Sequence, residues 1–244
     1  STATATGSGI IISEDGYILT NNHVVSSSES ESYYQVSEAT KVTVTLFDDE
    51  TEYEAKIVGT DEETDLAVIK IEKTGLTKAE FADSDSIKVG EFAMAVGSPL
   101  GLQSSVTCGI VSAVNREVTD TDGKTYTLIQ TDAAINAGNS GGALVNSEGK
   151  VIGVNTLKLT GQDVEGMGFA IPINSTTDIS SQLIEFSKVR RPYIGITGMD
   201  LDAETAKKNN LVEGIYVKDV ETFSAGEKAG IKIGDVIVKA DGKD

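Results

Sequence analysis

Short runs of apolar and β-branched residues recur along the first 190 residues, separated by polar turns that contain Gly, Asp or Asn. The segment 41–46 alternates strictly between polar and apolar positions, which is the pattern of a strand with one buried face. The segment 66–71 is apolar at all positions but one, which is typical of a strand buried on both faces. Comparable patterns predict further strands at 9–12, 17–20, 53–58, 91–96, 105–114, 126–130, 143–145, 151–157 and 168–171. Short strands at this spacing predict a mainly β fold, either a sandwich or a pair of barrels.

Two stretches break the strand pattern. Residues 178–188 carry Ile179, Leu183 and Ile184 at helical spacing, so we predict a helix there. Residues 26–40 are rich in Ser and Glu and contain no Lys or Arg, which predicts a long surface loop.

The sequence Arg-Arg-Pro at 190–192 marks a natural boundary in the chain. Residues 1–190 contain 28 acidic and 12 basic side chains, whereas residues 191–244 contain 10 and 8. The pattern of the tail predicts a helix and two strands, at 203–209, 215–220 and 236–239. We therefore predict a large β domain followed by a smaller module.

The composition excludes several classes of protein. The formal net charge of −18 argues against binding to nucleic acid or to an anionic membrane surface. One Cys cannot form an internal disulfide and one His excludes a multi-histidine metal centre, so we expect neither a metal nor a cofactor. We expect Cys108 to be a small core residue of the strand at 105–114. The segment 120–123 begins like a calcium loop, but the ligand spacing then stops, so a hairpin turn is the favoured interpretation.

The segment 138–142, Gly-Asn-Ser-Gly-Gly, is the strongest candidate for chemistry. Glycines allow positive φ values and close approach of a substrate. Such a backbone can present the Ser140 hydroxyl while pointing successive N–H groups into one concavity, as an oxyanion hole requires. A Gly-rich turn without a function explains this segment equally well on its own, because a serine hydroxyl becomes nucleophilic only beside a base.

His23 is the only histidine and therefore the only conventional base for that serine. It lies just beyond the predicted strand at 17–20, after Asn21 and Asn22, where its imidazole can face a cleft. Asp65 is the best candidate for the orienting carboxylate, because it opens the apolar strand at 66–71 and is shielded from water there. The acidic residues just before it are expected to be solvated: Asp61, Glu62 and Glu63.

Around these three residues the sequence resembles the HtrA (DegP-like) family of serine proteases. The histidine region reads Asp-Gly-Tyr-Ile-Leu-Thr-Asn-Asn-His-Val-Val at 15–25, and the aspartate strand reads Thr-Asp-Leu-Ala-Val-Ile-Lys-Ile at 64–71. The nucleophile region reads Gln-Thr-Asp-Ala-Ala-Ile-Asn at 130–136 and continues through 138–144. Further matching segments lie at 7–9, 151–156 and 168–172.

The resemblance implies a chymotrypsin-like double β-barrel followed by a PDZ domain. It also implies that Ser140 is the nucleophile, His23 the general base and Asp65 the residue that holds the imidazole tautomer. The implied oxyanion hole consists of backbone N–H groups of Gly138, Asn139 and Ser140. Ala137 and Ala143 stand where the family commonly has Pro, so the loop before Ser140 is less restrained, and an inactive resting loop stays open as an alternative.

The residues around the implied primary pocket favour small or medium aliphatic side chains at the cleavage site. Ala134 lies six residues before Ser140, where trypsin-like enzymes carry an Asp, and this argues against cleavage after Lys or Arg. Three further apolar residues are expected near the pocket: Ile135, Leu157 and Met167. Packing in the barrel core is the alternative role for these three side chains.

The tail resembles part of a PDZ domain. The segment Tyr193-Ile194-Gly195-Ile196 is similar to the family's carboxylate-binding segment, which adds a peptide strand by main-chain pairing. A PDZ domain continues beyond the point that is reached at Asp244, so we expect this part to bind C-terminal peptides poorly.

As a whole, the resemblance implies an ATP-independent serine endopeptidase of extracytoplasmic protein quality control, without a cofactor. Its implied partners are unfolded or misfolded polypeptides and two further copies of itself in a homotrimer. Its implied location is the periplasm or cell surface, with any membrane anchor in a segment absent from this chain. Two alternatives stay open: a chaperone or peptide-binding protein with an unformed oxyanion hole, and a peptide-binding scaffold centred on the PDZ part.

Overall fold

The computed structural model describes residues 6–26, 41–98, 105–120, 123–136, 138–156 and 166–242. The predicted surface loop therefore lies outside the described residues except for Ser26, and so do Thr121 and Asp122 of the calcium-like turn. The chain divides into two compact units, Ser1–Val189 and Arg190–Asp244, and each is described by itself.

The first unit begins with a five-stranded antiparallel sheet and a one-turn helix. Its elements are β1 (Ile10–Ile11), β2 (Tyr17–Asn21), α1 (Asn22–Val25), β3 (Val42–Thr45), β4 (Glu52–Asp61) and β5 (Leu66–Ile71). The strand order is β1-β2-β5-β4-β3, so β5 is central. The segment predicted from its apolar run is β5 itself, and five of its six residues are buried because both of its faces are covered.

The second sheet of this unit closes into a six-stranded barrel. Its strands are β6 (Phe92–Gly97), β7 (Ser105–Thr119), β8 (Thr125–Thr131), β9 (Ala143–Val145), β10 (Val151–Thr156) and β11 (Gly168–Pro172). They follow the order β10-β11-β8-β7-β6-β9 around the barrel. One buried cluster joins Leu66 and Val68 of the first sheet to Leu128 and Val154 of the barrel, so the two sheets share a core.

Helix α2 (Ile173–Phe186) completes the first unit and differs from the predicted helix at 178–188. It starts five residues earlier, because the buried Ile173 packs into the shared core and the Thr176 hydroxyl donates a hydrogen bond to the Ile173 carbonyl. It ends at Phe186 and is capped by Ser187, whose φ of 58° is left-handed and whose N–H donates to the Leu183 carbonyl at 3.0 Å.

The expectation that Cys108 is a core residue is wrong, because Cys108 is exposed. Along this part of β7 every second residue points outward, and Cys108 shares the outward face with Val106 and Ile110, both of which are exposed. An apolar strand segment does not tell which of its two faces is covered.

The second unit holds a three-stranded antiparallel sheet and two short helices. Its elements are β12 (Ile196–Leu201), α3 (Ala203–Lys208), β13 (Gly214–Val220), α4 (Ala225–Ala229) and β14 (Val236–Ile237), with sheet order β12-β13-β14. Each helix is capped by a side chain, since Asp202 accepts from the Thr205 N–H and Ser224 from the Glu227 N–H. Within the described parts of the chain, no helix has the length and apolar character needed to cross a bilayer.

Candidate active site

His23 and Asp65 meet where β2 ends beside the start of the antiparallel strand β5. Because Asn21 pairs with Leu66, the residues just beyond these strand ends are neighbours. The His23 Nδ1 lies 2.8 Å from Asp65 Oδ2 and 3.0 Å from Oδ1, and the His23 backbone N–H donates to Oδ1 at 3.0 Å. The Asp65 side chain is 3% exposed and the imidazole 27%, so the carboxylate is shielded while the ring keeps an open side.

Asp65 adopts a backbone conformation that a residue other than Gly seldom takes. Its φ is 56°, in the left-handed region, which costs energy and persists only where the surroundings hold it. Its carbonyl accepts hydrogen bonds from the Asn21 side-chain amide and from the Asn22 N–H, both at 3.0 Å. These bonds fix the turn that aims the carboxylate at His23.

Thr156 is a site residue that the sequence analysis did not identify. Its buried hydroxyl, at the end of β10, donates a hydrogen bond of 3.2 Å to Asp65 Oδ2. Both carboxylate oxygens therefore have partners, as a buried charge requires. The available signal was a pair of polar residues, Asn155 and Thr156, ending an otherwise apolar strand.

The expectation that Asp61 is solvated is wrong, although Glu62 and Glu63 are exposed as expected. Asp61 is buried, and its Oδ2 accepts from the Thr64 N–H at 3.1 Å and from the Thr64 hydroxyl at 2.5 Å. This local capping shapes the turn between β4 and β5, which ends at Asp65.

Ser140 lies in a turn that is tied to β10 by backbone hydrogen bonds. The Gly141 N–H donates to the Asn155 carbonyl and the Asn155 N–H donates to the Gly142 carbonyl, each at 2.9 Å. Gly138 and Gly141 have φ values of 103° and 83°, which favour glycine, and Ser140 is 5% exposed. The turn holds the serine in one place against the barrel.

The turn also packs closely against the end of β2, two residues before His23. A Cβ on Gly141 would overlap the Thr20 Oγ1 and would come within 3.1 Å of the Asn21 backbone nitrogen. Glycine is therefore required at position 141 for both its φ and its lack of a side chain. This close approach brings the serine turn to the strand end that carries the histidine.

The three amides that the sequence analysis assigned to the oxyanion hole differ in their surroundings. The Asn139 N–H donates to the Asn136 carbonyl at 3.0 Å, so it is engaged within the turn. The Asn139 side chain is buried as well, with its Nδ2 donating to the Ala134 carbonyl at 3.3 Å. The oxyanion-binding role that the family resemblance implies for the N–H groups of Gly138 and Ser140 stays a prediction. Ala137 lies outside the described residues.

The residues expected around the primary pocket differ in how exposed they are to solvent. Ala134 is exposed, and Met167 is 37% exposed. Ile135 is 8% exposed and packs in the barrel core against Gly168, as the alternative role proposed. Leu157 lies outside the described residues.

The segment expected to bind a peptide carboxylate leads into β12 of the second unit. Tyr193 and Ile194 are exposed, and a hydrogen bond to Glu221 raises the pKa of the Tyr193 phenol. The Ile194 carbonyl accepts from the Gly226 N–H at 2.7 Å, and Gly195, at a φ of 78°, accepts from the Glu221 N–H at 2.8 Å. The backbone of the segment is thus fixed while its first side chains stay exposed.

Comparison with known proteins identifies both units. Residues 7–154 match the family model of the trypsin-like peptidase domain, and residues 183–244 match the PDZ domain. The chain is 45% identical, over 97% of its length, to a probable periplasmic serine protease do/HhoA-like of Haemophilus influenzae. It is 44% identical, over 98% of its length, to the periplasmic serine endoprotease DegP of Escherichia coli K12. It covers 49% of each of these two proteins, so the chain spans about half the length of the curated relatives it matches.

The solved structures that resemble this chain are serine proteases as well. The HtrA-type protease AlgW with a decapeptide matches 98% of this chain and 70% of its own, at a TM-score of 0.81 and 38% identity. The serine endoprotease from Yersinia pestis matches 100% of this chain and 76% of its own, at a TM-score of 0.73 and 39% identity. The prediction of a mainly β, trypsin-like fold followed by a PDZ domain is confirmed. The chain therefore belongs to the HtrA (DegP-like) family of serine proteases.

Proposed function

We propose that this protein is a serine endopeptidase in which Ser140, His23 and Asp65 form the catalytic triad. The observation that carries the proposal is the Asp65–His23 pair, with the imidazole Nδ1 2.8 Å from a shielded carboxylate oxygen. A hydrogen bond at Nδ1 leaves Nε2 as the nitrogen that can accept a proton. Since the chain has one histidine, no other residue can take this role in the same way.

In the proposed reaction, Ser140 Oγ attacks the carbonyl carbon of a peptide bond while its proton moves to His23 Nε2. The negative charge that develops on the carbonyl oxygen is bound by the N–H groups of Gly138 and Ser140. His23 then gives its proton to the leaving amine, and the acyl-enzyme that remains is hydrolysed by water in the same manner. Asp65 stabilises the imidazolium, and Thr156 holds Asp65 in place.

We further propose that residues 1–190 form the peptidase domain and that residues 191–244 contribute the PDZ part. Unfolded or misfolded polypeptides are the proposed substrates, in extracytoplasmic protein quality control, with homotrimeric assembly. Support comes from the two curated relatives described above, which are both named as periplasmic serine proteases. We propose that the enzyme cleaves next to substrate residues with small or medium aliphatic side chains. Ala134 and Met167 are the proposed pocket residues, with Ile135 behind the pocket wall and Leu157 nearby.

The first test is cleavage of an unfolded protein such as casein by the wild type beside Ser140→Ala. We expect cleavage by the wild type and a loss of about 10⁴-fold or more in the variant, because removing a triad member leaves only the oxyanion hole and binding. A fluorophosphonate probe should label the wild type and not the variant.

Each other outcome has a defined meaning. Equal cleavage by both proteins would show that the activity does not depend on Ser140 and would overturn the proposed mechanism. Binding of casein without cleavage, together with no labelling by the probe, would favour the chaperone alternative.

A further inference from the structure

Ser8, just before β1, contacts the nucleophile turn with both its side chain and its backbone. Its hydroxyl donates a hydrogen bond of 2.6 Å to the Gly138 carbonyl, and its N–H donates one of 2.8 Å to the Ser140 carbonyl. These two carbonyls belong to the same two residues whose N–H groups are the candidates for the oxyanion hole. One residue, 130 positions away in sequence from Gly138, therefore holds the turn at two points, Gly138 and Ser140.

Ser8 is itself held in place from two further directions. Its Oγ accepts a hydrogen bond of 2.8 Å from the Ser98 N–H, which follows β6. Its carbonyl accepts one of 2.7 Å from the Thr20 hydroxyl, on β2. Because the Oγ has an N–H donor of its own, the hydroxyl proton is directed to Gly138. Ser8 thus connects β2, the end of β6 and the turn that carries Ser140.

The turn needs such a restraint because of its own composition. Glycine has the widest choice of backbone conformations, and Gly138 is held at a φ of 103°. Oxyanion donors are effective only when they are oriented before the reaction, so a loose peptide plane at Gly138 costs rate. A hydrogen bond to the Gly138 carbonyl fixes the peptide plane that joins Gly138 to Asn139, which lies between the planes of the two proposed oxyanion donors.

We propose that the Ser8 hydroxyl is a positioning group that orients the oxyanion-binding amides of the nucleophile turn. This inference rests on the proposed function for its effect on rate, but the effect on the turn is independent of activity. In this role Ser8 acts through its hydrogen bonds to the Gly138 and Ser140 carbonyls.

The test compares Ser8→Ala and Ser8→Cys with the wild type, with Ser13→Ala as the matched control. Ser13 lies in the same N-terminal hairpin, where its Oγ accepts a hydrogen bond from the Tyr17 N–H, away from the turn. Cysteine approximates the volume of serine but is a weak donor, so it separates packing from hydrogen bonding.

We expect Ser8→Ala to lower kcat about tenfold or more, with KM within about twofold, because an oxyanion donor acts in the transition state. The inhibition constant of a peptide aldehyde, whose adduct places an oxyanion in the same position, should rise by the same factor. Ser8→Cys should have the same kcat and inhibition constant as Ser8→Ala, and Ser13→Ala the same as the wild type. Concentrations of active enzyme are set by titration with a fluorophosphonate, so that any unfolded fraction is not counted.

Hydrogen exchange of the peptide spanning 138–142, measured by mass spectrometry, provides the readout that does not depend on activity. The Gly141 N–H donates to the Asn155 carbonyl of β10 and the Gly142 N–H to the Asn139 carbonyl of the turn. Both amides should exchange faster in Ser8→Ala than in the wild type, whereas their exchange should be unchanged in Ser13→Ala. Unchanged exchange in Ser8→Ala would overturn the inference, and so would a full kcat in Ser8→Ala or in Ser8→Cys. A wild type that cleaves nothing would count against the proposed function alone, and hydrogen exchange would still decide the role of Ser8.

Discussion

At the scale of single residues, Asp65 is the group whose replacement gives the sharpest expectation. Three donors converge on its carboxylate: the His23 Nδ1–H, the His23 backbone N–H and the Thr156 hydroxyl. In Asp65→Asn an amide NH₂ must face one of these donors, so the imidazole loses its orientation and tautomer. We expect kcat to fall about 10⁴-fold while the protein stays folded.

The control for this variant is Glu62→Gln, an exposed side chain in the same turn. It should leave kcat and the melting temperature unchanged. If Asp65→Asn kept more than about a tenth of the wild-type kcat, Asp65 would not be the orienting carboxylate.

Two glycines with similar φ values separate the effect of backbone strain from that of crowding. Gly141 and Gly149 have φ values of 83° and 76°, but a Cβ meets Thr20 and Ser8 at position 141 and nothing within 4 Å at position 149. Both alanine variants should lose about 1–2 kcal/mol of stability through left-handed strain. Gly141→Ala should lose about 1–3 kcal/mol more through overpacking and should be inactive, since its turn is displaced.

Urea unfolding of both variants, combined with casein cleavage, measures this difference. Equal destabilisation of the two variants would contradict the close packing of the turn against β2.

Single site residues could be recognised from the sequence where the residue type is rare or its immediate neighbours are unusual. His23 stood out because it is the only histidine, and Ser140 because glycines surround it. Ser8 and Thr156 are hydroxyl residues among many, and their roles depend on hydrogen bonds that span 130 and 91 positions of sequence. Such contacts leave no local pattern, so only the fold could reveal them.

At the scale of elements, α2 contains two adjacent apolar residues, one of them buried and the other partly exposed to solvent. Leu183 is completely buried in the core shared by the two sheets, whereas Ile184 is 37% exposed. Leu183→Ala should lower the free energy of unfolding by about 2–5 kcal/mol through lost burial and a cavity. Ile184→Ala should cost about 1 kcal/mol or less, because its side chain already contacts water.

Thermal or urea denaturation of the two variants provides the measurement. Similar losses in both would mean that α2 does not pack on the core by the face that contains Leu183.

Elements were predictable where burial imposed a simple pattern. The central strand β5 and the short strand β9 match their predicted bounds. The first turn of α2 was missed, because Asn-Ser-Thr-Thr at 174–177 has low helix propensity and is helical only through tertiary packing. The helices α1 and α4 contain four and five residues, which is too few for a periodic pattern to emerge.

At the scale of the whole molecule, the net charge of −18 affects which polypeptides approach the protein. An acidic surface attracts basic chains and repels acidic ones, and salt screens both effects. Of two peptides with the same cleavage sequence, one flanked by Lys should have about tenfold higher kcat/KM than one flanked by Glu at about 0.01 M salt. The ratio should approach one at about 1 M salt, where the Debye length is about 3 Å instead of about 30 Å.

The same kcat/KM ratio at both salt concentrations would mean that long-range charge does not guide substrates to the site. Ser140→Ala is the blank in each assay, so that any contaminating protease is subtracted.

The hydrogen bond between Ser8 and Gly138 also has a consequence for folding kinetics. Contacts between residues far apart in sequence close large loops, and their formation is correspondingly slow. The site combines residues near positions 8, 23, 65, 140 and 156, so its geometry arises only after most of the first unit has condensed. A chain of this protein that is still folding therefore lacks the assembled site on which the proposed activity depends. In refolding experiments, proteolytic activity should return with the last cooperative phase, after most of the secondary structure has formed.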